Sequence, residues 1–110
     1  MHLKNGDEDI AEMTAEYKRR RRLIVDGLRK IGIPCYEPQG AFYVFPRIGA
    51  FGMSSEEFCQ RLLQEQRVAI VPGTAFGDCG EGFARISYAY SIDHIAEALR
   101  RIEKFIASLK

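Results

Sequence analysis

The sequence is short of most features that would place it quickly. Its longest uninterrupted apolar run, Ala41 to Phe45, covers five residues, far below the roughly 18 that a membrane-crossing helix needs. The first ten residues are polar and acidic, where a secretory leader is basic and then apolar. Neither charge sign dominates: 16 Lys and Arg stand against 15 Asp and Glu, a formal net charge of +1. Nucleic acid or anionic membrane would therefore need a local patch rather than a global field. Cysteine is scarce and scattered, at Cys35, Cys59 and Cys79, with no CxxC pair. An odd, dispersed count fits free thiols in a reducing compartment, and a cytoplasmic protein is expected. His2 and His94 have no metal-ligand spacing to these cysteines, so no metal is expected.

What is present is ordinary for a globular domain: 110 residues, 46% hydrophobic and 28% charged. That is enough chain for one core without disulfide or metal staples. Glycine and proline punctuate segments with clear periodicity. After an expected turn at Asn5-Gly6, a helix is predicted with the stripe Ile10, Met13, Tyr17, Ile24, Leu28 and Ile31, stopped by Gly32 and Pro34. A short extended piece at Cys35-Tyr36 and an aromatic strand, Ala41 to Phe45 closed by Pro46, read as a hairpin. Ser54 and Glu57 form a capping box before a helix over about 55 to 66. Val68 to Val71 reads as a buried strand ended by Pro72-Gly73. Phe83 to Ala89 alternates with period two, and Ser91 caps a last amphipathic helix with the stripe Ile92, Ile95, Ala96, Leu99, Ile102, Ile106 and Leu109. The order predicts an α+β fold, a small, mainly antiparallel sheet with helices packed on one side, forming a single domain over 1–110.

Arg85 stands out chemically. The alternation puts Phe83, Arg85, Ser87 and Ala89 on one face of their strand and Ala84, Ile86 and Tyr88 on the other. A guanidinium in the middle of such a strand needs an anion, and its planar fork suits a carboxylate. The anion could equally be Glu81 or Asp78 of the same chain, or the strand could lie at an edge with Arg85 facing water. Just before it, residues 73 to 82 hold four glycines, which lets the backbone approach a ligand closely. That loop lacks GxxxxGK[ST] and runs into a strand, so it is not a phosphate cradle. Lys18-Arg19-Arg20-Arg21-Arg22 resembles a basic patch only until it is wound on a helix, where five consecutive residues spread around the circumference. Most of that run reads as a solvated face, with one arginine free for a partner surface. An RNA-binding module is the weaker alternative, because the ribonucleoprotein consensus fails at Gln39; a stand-alone interaction or dimerisation domain is the other.

Three segments in order carry a family likeness: Gly40-Ala41-Phe42-Tyr43-Val44-Phe45-Pro46, Val71-Pro72-Gly73-Thr74-Ala75-Phe76-Gly77 and Gly82-Phe83-Ala84-Arg85-Ile86-Ser87-Tyr88-Ala89. Together they resemble the C-terminal part of class I/II, fold-type-I aminotransferases, which use pyridoxal phosphate. The resemblance implies a small domain beside a large cofactor-binding domain that is absent here, and a homodimer in the full-length enzyme. It implies amino-group transfer between an amino acid and a 2-oxo acid, with Arg85 binding the substrate α-carboxylate and Gly40, Phe42 and Phe76 near the substrate. None of the five lysines, Lys4, Lys18, Lys30, Lys104 and Lys110, matches the family's cofactor lysine. The isolated chain is therefore expected to be inactive and not to bind pyridoxal phosphate stably.

Overall fold

A computed structural model describes residues 3–37 and 42–109, with the side chains of residues 3–13 and of Asp78 outside that description. The chain opens with α1 (Leu3–Ile31), followed by β1 (Cys35–Tyr36) and β2 (Tyr43–Pro46). Next come α2 (Ser55–Gln66), β3 (Val71–Pro72), β4 (Ala84–Ser87) and α3 (Ile92–Ser108). Asn5 and Gly6, expected as a turn, lie inside α1. A helical glycine costs about 1 kcal/mol, which a helix of this length outweighs. The other end of α1 stops as expected. Gly32 takes φ +98°, and the Gly32 and Ile33 amides donate to the carbonyls of Arg29 and Leu28 at 3.0 and 2.8 Å. This is the paired bonding of a Schellman cap, which satisfies two carbonyls the helix would otherwise leave open.

The four strands form one antiparallel sheet in the order β1-β2-β4-β3. The expected hairpin is present, with Cys35 opposite Pro46 and Tyr36 opposite Phe45. Pro46 belongs to β2 rather than ending it, while Ala41 lies outside the described residues. The segment from Val68 to Val71, expected as a buried strand, is corrected. Only Val71 and Pro72 pair, opposite Arg85 and Ala84, and Ala69 is exposed. The physical reason is that the segment runs along the sheet edge, where Pro72 is tolerated although it has no N–H to give.

Alternation sorts the sheet into two faces. Val44, Ala84, Ile86 and Tyr88 are buried, and they join Ile24, Val25 and Leu28 of α1, Phe58 and Leu62 of α2, and Ile95, Leu99, Ile102, Phe105 and Ile106 of α3 in one core. Phe58 and Phe105 meet edge to face at 5.2 Å between centroids, a preferred aromatic geometry. Both helix caps read from the sequence form: the Ser54 and Ser91 side chains accept the amides of Glu57 and His94. All three helices thus lie against one side of the sheet, and Arg85 and Ser87 occupy the other.

Candidate functional site

Arg85 sits in β4, which has β2 on one flank and β3 on the other. It is therefore not the arginine of an edge strand. Tyr43 in β2 pairs with Ser87, and Val71 in β3 pairs with Arg85 itself. These registers bring an aromatic residue from each side. The Arg85 guanidinium carbon lies 4.9 Å from the Tyr43 ring centroid and 4.4 Å from that of Phe76, within cation–π range. Tyr43 in turn meets Phe45 edge to face at 5.3 Å. Among the described residues Arg85 has no carboxylate partner.

Glu81, one of the two acids that could have neutralised Arg85, is directed elsewhere. Its Oε1 accepts the Ser55 amide at 3.1 Å, at the start of α2, where the helix dipole favours a negative charge. The fully buried Ser55 hydroxyl accepts the Gly82 amide at 2.8 Å. The Gly82 carbonyl accepts the amides of Ile48 and Gly49 at 2.8 and 3.0 Å. The glycine-rich loop is thereby tied down at its end, and two 3-10 turns, Gly73–Phe76 and Asp78–Gly80, give it internal structure. Gly73 and Gly80 approach so closely that a Cβ on Gly73 would lie 2.1 Å from the Gly80 carbonyl oxygen. Gly77, at φ +129°, turns the chain directly after Phe76. The glycines here shape a loop that delivers Phe76 to Arg85.

Of the other residues singled out in the sequence, Phe42 lies apart from Arg85. Its ring stacks on Tyr17 of α1 at 4.5 Å and meets Tyr88 edge-on at 6.5 Å. Gly40 lies outside the described residues. Tyr43 is not among the residues that the family likeness places near the substrate. Its signal was available in the alternation of Tyr43 and Phe45 with Val44 and Pro46, but using it required the register of β2 on β4, which single-strand periodicity does not supply. Three arginines of the basic run pair locally: Arg19 and Arg20 bond Glu16 at 2.6 and 3.2 Å, and Arg21 lies 3.3 Å from Glu37.

The thiols have different surroundings. Burial pushes Cys59 up to about 11 and also raises Cys35, whereas Cys79 is exposed in the glycine-rich loop. A cavity of about 500 Å³ is lined by residues of the segment before β3, of β4 and of α3, among them Ile24, Ile70, Arg85, Ser87 and Leu99. Among the described residues no helix is long and apolar enough to cross a membrane.

The family model described as aminotransferase class I and II matches residues 2–102. The chain is 51% identical over 102 residues to an aspartate aminotransferase of Pyrococcus horikoshii, covering 92% of this chain and 26% of that protein. It is 48% identical over 101 residues to an aspartate aminotransferase of Pyrococcus abyssi, with 92% of this chain and 26% of that protein covered. Among solved structures, an aromatic aminotransferase from Pyrococcus horikoshii superposes with a TM-score of 0.87 at 46% identity, over 92% of this chain and 27% of that one. The chain thus spans about a quarter of the length of the curated relatives it matches. With a matched family model over most of its length and a shared fold, the chain belongs to the class I and II aminotransferases.

Proposed function

We propose that this chain is the C-terminal, substrate-clamping domain of an aminotransferase that moves an amino group between an amino acid and a 2-oxo acid, and that Arg85 binds the substrate α-carboxylate. The observation that carries the reading is the state of Arg85: half-buried on a flanked strand, contacted by two rings, and without a carboxylate among the described residues. An arginine so placed offers in-plane N–H donors to a planar, two-oxygen acceptor. Holding a substrate by that group fixes its orientation, which contributes to rate through effective concentration.

Pyridoxal phosphate is the cofactor the family membership implies, and the residues described here do not fit it. Lys18, Lys30 and Lys104 are solvent-exposed on α1 and α3. The glycine-rich loop contains 3-10 turns of four and three residues and offers no α-helix N-terminus to a phosphate. The cofactor, the large domain and a dimer partner therefore belong to the remainder of a longer enzyme, and the isolated chain is inactive in transamination.

The test is steady-state kinetics of the complete enzyme that carries this chain. Arg85→Lys keeps the charge and loses the fork, and it raises KM for the amino acid about tenfold or more, a loss of at least ~1.4 kcal/mol. Unchanged kinetics toward amino acids would remove Arg85 from the site.

A further inference from the structure

We infer that Tyr43 and Phe76 are positioning residues that hold the Arg85 guanidinium through their ring faces, so that its N–H edge is aligned for a carboxylate before one arrives. The inference rests on the proposed carboxylate role of Arg85 and goes beyond it by assigning a role to two side chains that need not touch the substrate themselves.

The geometry gives three reasons. First, the rings come from opposite flanks of β4: Tyr43 from β2, and Phe76 from the loop that follows β3. At 4.9 and 4.4 Å from the guanidinium carbon, each is within the range where a ring quadrupole attracts a cation. Second, the contacts occupy no hydrogen-bonding group. A carboxylate partner would have used the N–H donors, whereas an aromatic ring restrains the side chain and leaves them available. The one nearby acid that is described, Glu81, is held by the Ser55 amide instead. Third, Phe76 is held at a cost. The residue is 50% exposed, a poor site for a phenyl group if packing were its only role. Yet Gly77 adopts φ +129° immediately after it, and Gly73 and Gly80 meet at a distance no side chain allows. A free arginine side chain loses rotamer freedom when it binds, and restraint already present in the unliganded protein removes part of that loss.

The experiment follows the Nε–Hε correlation of Arg85 by NMR in the 15N-labelled 110-residue chain during titration with 2-oxoglutarate. In the native chain the Arg85 signal, assigned by its absence from the Arg85→Gln variant, moves with saturable dependence while that of exposed Arg100 does not. Phe76→Leu and Tyr43→Leu each weaken the apparent affinity about three- to tenfold and return the Arg85 signal toward that of a free side chain. Phe76→Tyr and Tyr43→Phe, which keep the ring, stay within about twofold of native. If Tyr43→Leu fails to fold, Phe76→Leu decides alone, because Phe76 lies on a surface loop. Equal affinity in native and Phe76→Leu chains would overturn the positioning role while leaving Arg85 as the carboxylate site. A native Arg85 that responds no more than Arg100 would overturn both.

Discussion

At the scale of single residues, the chemistry of this chain turns on which charged groups already have partners. Glu16, Glu37, Glu65 and Glu97 each pair with arginines on helical or loop surfaces, and such exposed pairs contribute little to stability. Glu81 caps α2. Arg20 and Arg61 each lie over one ring and also pair with a glutamate, whereas Arg85, on a flanked strand, lies over two rings and has no carboxylate partner among the described residues. Reactivity separates the cysteines in the same way. With excess iodoacetamide at pH 8, Cys79 should be alkylated first, because it is exposed, and Cys59 only as the protein unfolds, because it is buried with its thiol raised to about 11. Peptide mass spectrometry over time checks this order, and early Cys59 labelling would contradict the burial of that part of α2. Alternation singled Arg85 out as a cation in need of an anion but left open Glu81, Asp78 or an edge strand; the place of β4 between β2 and β3 removes the edge-strand reading, and the carboxylate role came from the family likeness. Of the two ring partners of Arg85, Phe76 was named through the family likeness, whereas Tyr43 was not, because it is 42 residues away in sequence and only the strand register brings it near.

At the scale of elements, the loop from Gly73 to Gly82 depends on backbone contacts that side chains would break. Gly80→Ala would place a Cβ 2.0 Å from the Gly73 carbonyl oxygen. It should cost on the order of 2–4 kcal/mol, read as a lowered urea midpoint, or else release the loop and with it Phe76. Ser55→Ala removes the acceptor of the Gly82 amide and should cost about 1–3 kcal/mol. Ser91→Ala removes the α3 cap and should cost about 1 kcal/mol with no effect on the Arg85 site. The difference between these two serines is a useful control, since only Ser55 connects to the loop. Helices were the most legible elements. The Ser54 and Ser91 caps and the Gly32 stop are local signals that operate through neighbouring residues. The strand at Val68 to Val71 was over-read because β-branched residues signal extended backbone without saying how much of it finds a partner. In the fold only Val71 and Pro72 do, because β4 is four residues long and the segment lies at the edge. The turn at Asn5-Gly6 failed for the opposite reason, a weak local propensity overridden by helix propagation on both sides.

At the scale of the whole molecule, one sheet face is packed by three helices and the other carries Arg85 with its rings. Tyr36, Phe76 and Phe42 are exposed at 67%, 50% and 48%. The relatives are about four times as long as the matched segment, so in them further chain is available to cover such surfaces. The composition gave no hint of this, since 46% hydrophobic residues is ordinary for an independent domain. Arg20 and Arg21, which interrupt the apolar stripe of α1 between Tyr17 and Ile24, pair with Glu16 and Glu37. The measurement that tests the central claim most directly is the intact mass and transaminase activity of the native polypeptide, captured from the source cells with an antibody raised against this chain. The account predicts a polypeptide several times heavier than 12.5 kDa that transfers an amino group from an amino acid to a 2-oxo acid. A native polypeptide of 12.5 kDa with no such activity would contradict it.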